Sequence, residues 1–239
     1  MTTLWIWTLI FVCMIMHDIL YVCGRWFVKS PINLCCWLWS FLLKIFLPIS
    51  GVKVIVSGLE NIPSKGPYII ASNHQSIADI PILNAVVPPG FAFYAKKELM
   101  YVPIIGWNLK MMGCFLIDRK NPREALKDLD DSRKKVALGR ALLIFPEGTR
   151  SVDGNLSPFK RGGFSVAVQT GVPVIPCVID GSYKIINKKN FWALPGKVSV
   201  TFGAPISVTK VDKDAEKKAS TVLMHKTYHI IRSIMELNK

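Results

Sequence analysis

A histidine and a carboxylate stand five residues apart in Ser72-Asn73-His74-Gln75-Ser76-Ile77-Ala78-Asp79, directly after the apolar run Tyr68-Ile69-Ile70-Ala71. Imidazole suits general-base work because its proton affinity lies near that of neutral solution. An aspartate accepting from one ring nitrogen fixes the tautomer and steadies the imidazolium that forms. On an ideal helix residues five apart point about 140° away from each other. The pair therefore meets only if His74 lies in a turn and Asp79 in the first turn of the following helix. A strand-to-helix turn supplies that geometry, and in open α/β sheets such turns are where ligands sit. The same spacing also describes a helix-capping network, so the pair alone does not decide for catalysis.

A second apolar run, Ala141-Leu142-Leu143-Ile144-Phe145, ends in Pro146-Glu147-Gly148-Thr149-Arg150-Ser151. Gly148 allows close approach to the backbone. Arg150 has the planar fork that grips a phosphate bidentately. Lys160 and Arg161 follow shortly and add positive charge. A lone arginine in a turn is usually a solvated surface group, so this stretch too needs support.

Co-occurrence supplies it. The chain resembles the lysophosphatidic acid acyltransferase family, the 1-acyl-glycerol-3-phosphate acyltransferases of the wider glycerolipid acyltransferase group. Four blocks stand in the family's order: Asn73-His74 with Asp79; Gly113-Cys114-Phe115-Leu116-Ile117-Asp118-Arg119, preceded by Ala95-Lys96-Lys97-Glu98-Leu99; Phe145 to Ser151; and Val172-Pro173-Val174-Ile175-Pro176. The resemblance covers about residues 51–205. It implies that His74 is the general base and Asp79 its orienting partner. It implies that Arg119, Glu147, Gly148 and Arg150 bind the glycerol phosphate of the acceptor, with Lys96 assisting. The fourth block would shape the acyl region.

By the same resemblance the acceptor is the sn-2 hydroxyl of lysophosphatidic acid. The donor is an acyl thioester of acyl carrier protein or coenzyme A, and the product is phosphatidic acid. Glycerol 3-phosphate or another lysolipid is the alternative acceptor. Attack is direct, without an acyl-enzyme. The nearest match to a serine-nucleophile elbow, Gly163-Phe164-Ser165-Val166-Ala167, lacks its final glycine and reads as a helix start. No cofactor or metal is implied; His225 and His229, four apart in a late helix, are a weak metal signal.

The elements that must position these residues follow from periodicity. Short apolar runs at Val52–Val56, Tyr68–Ser72, Phe91–Ala95, Cys114–Ile117, Ala141–Phe145, Val174–Ile179 and Val198–Phe202 read as strands. Several are almost continuously apolar, as strands covered on both faces are. Asn121-Pro122-Arg123-Glu124 is a helix-start signature, and that helix should stop at Gly139. Further helices are expected from Gly163 to Thr170 and from near Asp212, the last with Leu223, Ile230, Ile231 and Ile234 on one face. Strands separated by helices predict an α/β fold with a largely parallel central sheet flanked by helices.

Residues 1–50 are set apart from this 51–239 acyltransferase domain by composition. Leu4–Cys23 is apolar except for His17 and Asp18, and Ile32–Ile49 except for Lys44 and Pro48. Each run is long enough to approach the bilayer core thickness. Arg25 and Lys29 in the loop between them, and the basic remainder of the chain, favour one side of the membrane for both. A helical hairpin entering and leaving one leaflet fits; ordinary spans are the alternative. Trp5, Trp7, Trp26, Trp37 and Trp39 fit an interfacial belt.

Lys and Arg outnumber Asp and Glu by 30 to 16, a net charge of +14. That excess suits an anionic bilayer, phosphorylated substrates or an acidic carrier. A basic membrane or nucleic-acid binding module is the rival class. Nucleic acid is not expected as a partner, since no recognition-helix or RNA-binding pattern occurs. The cysteines contain no CxxC pair and read as buried small hydrophobes in a reducing compartment. The basic loop places the chain at the cytoplasmic face of a cell membrane, and its compact size makes the bacterial inner membrane the expected one.

Overall fold

The computed structural model describes residues 3–64, 66–117, 122–186 and 192–237. One seven-stranded sheet holds the molecule together: β1 (Val52–Ser57), β2 (Ile69–Ser72), β3 (Ala92–Lys96), β4 (Phe115–Ile117), β5 (Leu142–Ile144), β6 (Val174–Asp180) and β7 (Gly196–Phe202), in the order β1-β7-β6-β2-β5-β3-β4. Each sequence-predicted strand is present, with ends within two residues of expectation. Neighbours are parallel except β6 and β7, which run antiparallel. The C-terminal ends of β2 to β6 therefore share one edge of the sheet.

The helices are α1 (Thr3–Gly24), α2 (Pro31–Ile49), α3 (Asp79–Val86), α4 (Ile105–Met111), α5 (Pro122–Ala137), α6 (Gly162–Thr170), α7 (Ser182–Ile185) and α8 (Lys213–Leu237). The capping residue expected before α5, Asn121, lies outside the described residues. Gly139, at a φ of 96°, ends the turn that follows this helix.

The near-continuous apolarity of the central strands has a simple cause: both faces are covered. Ile70, Leu143, Ile175 and Ile179 point to one face and pack with Ile6, Tyr21, Cys35, Leu38, Ile82 and Leu83 of α1, α2 and α3. Ile69, Ala71, Leu142, Ile144 and Val174 point to the other and pack with Val136, Phe164, Val168 and Leu223 of α5, α6 and α8. Ile69, Ile70, Leu142 and Leu143 are wholly buried. Truncating such a side chain to alanine costs about 2–5 kcal/mol.

The two N-terminal helices contribute to this core instead of hanging from it. Ile6, Cys13, His17 and Tyr21 form the inward stripe of α1. His17 is fully buried, with Nδ1 3.0 Å from Asp18 and Nε2 3.1 Å from the Cys35 carbonyl of α2. Asp18 in turn accepts from the Asn108 amide of α4 at 3.0 Å. The polar pair that interrupts the first apolar run thus lies on the side facing the domain. Outward, α1, α2 and the turn between them expose Leu4, Phe11, Ile19, Trp26, Trp37 and Phe41.

Candidate active site

Register explains how the two chemistry-bearing turns meet. β2 pairs with β5 in parallel, Ala71 beside Ile144. Three residues further along each strand are His74 and Glu147, and there the His74 backbone N–H donates to Glu147 Oε1 at 2.7 Å. The other carboxylate oxygen accepts from the Ser157 backbone N–H at 2.9 Å. Ser151 completes the tie by donating its N–H to the His74 carbonyl at 2.7 Å. Glu147 is buried, and that burial pushes its carboxyl above the usual range, opposed by the two N–H groups it accepts.

The dyad forms as the spacing requires, His74 in the turn and Asp79 opening α3. Nδ1 of His74 lies 2.8 Å from Asp79 Oδ2. The same oxygen accepts the backbone N–H groups of Gln75 at 2.8 Å and Ser76 at 2.9 Å. Oδ1 accepts from the Ser182 hydroxyl of α7. Asp79 thus accepts from two backbone N–H groups and a hydroxyl, and the Nδ1 contact is satisfied by the tautomer with the ring proton on Nδ1, which leaves the lone pair on Nε2. Asp79 is fully buried while the His74 side chain keeps 16% exposure, so the imidazole stays reachable and the carboxylate does not. Phe145 stacks on the imidazole at 3.9 Å between centroids and fixes its plane.

The turn itself is pinned from several sides. Asn73 exchanges two hydrogen bonds with the Ile179 backbone, each 2.8 Å, in effect continuing the β2–β6 pairing with a side chain. Ser76 donates to the Ile186 carbonyl at 2.8 Å, and Gln75 to the Gly154 carbonyl at 3.1 Å. The capping network and the dyad are therefore one arrangement. Because the N–H groups of His74, Gln75 and Ser76 are all committed to carboxylates, they are not donors to a developing oxyanion.

Basic groups surround the same edge. Arg150 is partly buried; desolvation lowers its guanidinium from the ordinary value and the charge of Asp79 opposes that shift. Gly148 has a φ of 71°, and a Cβ there would lie 3.0 Å from Lys160 Nζ. Glycine at 148 thus serves both the left-handed turn and the close passage of the Lys160 side chain. Lys96 ends β3 on this edge, exposed and 3.1 Å from Glu98.

Residues 53–180 match the family model described as Acyltransferase. The chain belongs to the acyltransferase family. It is similar to the 1-acyl-sn-glycerol-3-phosphate acyltransferase of Saccharomyces cerevisiae, 39% identical over 69% of this chain and 55% of that protein. It is likewise similar to the 1-acyl-sn-glycerol-3-phosphate acyltransferase of Pseudomonas aeruginosa, 37% identical over 73% of this chain and 70% of that protein. The chain thus spans little more than half the length of the yeast relative. The crystal structure of the 1-acyl-sn-glycerophosphate (LPA) acyltransferase PlsC from Thermotoga maritima superposes with a TM-score of 0.83 at 26% identity, covering 99% of this chain and 95% of that one.

In this acyltransferase-family chain the sequence-predicted site residues fall into three groups. His74, Asp79, Glu147, Gly148 and Arg150 come together, Glu147 with both oxygens on backbone N–H groups. Lys96 shares their edge of the sheet. Arg119 lies outside the described residues. Arg161 faces away, donating to Glu216 at 3.2 Å and Ser220 at 3.3 Å on α8. Ser165 is buried inside α6 with its hydroxyl on the Gly162 carbonyl at 2.8 Å, as a helix residue and not a nucleophile. Sequence reasoning missed Ser182, and placed Asn73 in the first block without its role, since their partners lie 103 and 106 residues away.

Proposed function

We propose that this chain transfers an acyl group from a thioester donor to the sn-2 hydroxyl of lysophosphatidic acid, giving phosphatidic acid. The observation that carries the reading is the His74–Asp79 pair, with Nε2 open beside the Phe145–Arg150 turn. Nε2 takes the proton of the acceptor hydroxyl as its oxygen attacks the thioester carbonyl carbon. Asp79 stabilises the imidazolium. As the C–S bond breaks, the imidazolium returns the proton to the departing sulfur. No covalent acyl-enzyme forms. Arg150, Lys160, Lys96 and Arg119 hold the acceptor phosphate, and holding it near the base lowers the barrier by positioning. Glu147 contributes by bracing the two turns.

The names of the relatives support the acceptor; the phosphate grip does not by itself separate lysophosphatidic acid from glycerol 3-phosphate. The donor is acyl carrier protein or coenzyme A, both acidic and suited to a chain of net charge +14. Residues 1–50 attach the domain to a bilayer. α1 with its following turn, and α2, are long and apolar enough to cross one, with mean hydropathies of 2.0 and 1.8. The packing of one side of the pair on the domain core, together with Arg25 and Lys29 in the loop between the helices, supports a pair seated in a single leaflet on the cytoplasmic face, with the domain beside it.

The purified chain, given lysophosphatidic acid, glycerol 3-phosphate or another lysolipid with each thioester, tests this. Phosphatidic acid formed fastest from lysophosphatidic acid is expected. Turnover of every acceptor except lysophosphatidic acid would overturn the assignment.

A further inference from the structure

The segment running from the end of β3 into the first turn of α4 is as apolar outside as the N-terminal helices, yet belongs to the sheet-bearing domain. Leu99, Tyr101, Val102, Ile105 and Trp107 are all exposed, Tyr101 at 80% and Trp107 at 51%. Exposure of five large apolar side chains within nine residues is not needed by the fold, because Gly106, Asn108 and Leu109 already turn the inward side of α4 to the core. Ile104 at the tip has a φ of 66°, a conformation disfavoured for a β-branched residue.

We infer that Leu99–Trp107 is a third membrane-inserting element, seated in the same leaflet as α1 and α2; this rests on the membrane reading above. Continuity is the first argument. Asn108 of α4 donates to Asp18 of α1 at 3.0 Å, and Leu109 and Met112 share a core cluster with Ile6, Tyr21 and Leu38. The segment therefore flanks α1 on the same side of the sheet as the exposed apolar surfaces of both helices. Charge is the second. Lys96 and Lys97 precede the segment and Lys110 follows it, all exposed, as cationic groups at the depth of anionic headgroups would be. Aromatic Tyr101 and Trp107 suit the interface.

The consequence concerns acceptor delivery. The segment leaves β3 at Lys96, on the edge that carries His74. A lipid phosphate reaching Lys96 and Arg150 then keeps its tail beside Tyr101 and Val102, within the leaflet, throughout transfer. Water need not be crossed.

The test places an environment-sensitive fluorophore at single sites of the full chain in a Cys23→Ser background. Cys13, Cys35, Cys36 and Cys177 are buried, and Cys114 is half-buried. Labelled Tyr101→Cys, Phe11→Cys on α1 and Lys218→Cys on α8 are mixed with vesicles of neutral and anionic phospholipid carrying a nitroxide quencher on the acyl chain. The inference expects quenching at 101 and 11 to comparable extents and none at 218. Quenching at 11 without quenching at 101 overturns the inference and leaves the membrane reading intact. Quenching at neither removes both. As a functional arm, Val102→Asp with Ile105→Asp should slow turnover of long-chain lysophosphatidic acid in vesicles about tenfold or more and leave a water-soluble short-chain analogue within about twofold. Equal slowing of both acceptors contradicts the inference.

Discussion

The His74 backbone N–H donates to Glu147 Oε1 at 2.7 Å, so the turn carrying His74 and the turn carrying Arg150 are one unit. Their rigidity rests on a carboxylate that the protein buries. Burial holds the Glu147 carboxyl above the usual range. The folded chain therefore binds more protons than the unfolded one between the ordinary glutamate value and the raised one. Its contribution to stability falls as pH rises through that window, then stays level. In Glu147→Gln this component is absent, and the amide turns an NH2 group toward one of two backbone N–H groups, costing about 1–3 kcal/mol. Thermal unfolding across acid to neutral pH should show wild type losing part of its advantage as pH rises. A difference that grows with pH contradicts the account.

Asp79→Asn separates charge from shape. The amide oxygen can still accept from Nδ1, and Ser182 can rotate to accept from the new NH2 group. What disappears is the negative charge that steadies the imidazolium. Turnover should fall about 10²- to 10⁴-fold with little change in KM for the acceptor. Unchanged turnover would mean that Asp79 only caps α3.

Ser182→Ala removes the donor on Asp79 Oδ1 without touching His74. A hydrogen bond to a charged group contributes about 1.5–3 kcal/mol. Losing it makes the carboxylate more basic, so the imidazolium is favoured and the pH at which activity appears moves upward. A purely structural serine would lower thermal stability and leave the pH profile in place; a profile that does not move contradicts the positioning role.

Arg150→Lys and Lys160→Met address the phosphate. Each should raise KM for lysophosphatidic acid about tenfold to a hundredfold, as charge-assisted bonds of this kind are worth. Turnover at saturation and binding to vesicles should change little. An effect confined to turnover would place these groups at the reacting carbonyl instead.

The central strands β2, β5 and β6 were legible because burial on both faces writes itself as continuous apolar runs, while β1 and β7 alternate apolar and polar residues. His74 and Asp79 were legible as a pair because both lie within one turn, where spacing constrains geometry. Arg161 was not: its partner Glu216 is 55 residues away on α8, and a lysine-arginine pair reads alike whichever way each side chain points. Glu147 was read as a ligand contact, while its oxygens accept backbone N–H groups of His74 and Ser157, a role set by the β2–β5 register. Ser182 needed the return of β6 to the shared edge. His17 and Asp18 looked like flaws in an apolar helix, and only the packing of α1 on α2 and α4 makes them its inward stripe. The short helix α4 carries too few turns for periodicity to declare it.

The most direct measurement of the central claim is phosphatidic acid formation by purified wild type and His74→Ala, in the same detergent–lipid mixture, with lysophosphatidic acid and the preferred thioester. The account predicts a loss of at least about a hundredfold in the variant, with vesicle binding retained and thermal unfolding nearly unchanged. Wild-type activity in folded, membrane-bound His74→Ala would contradict it.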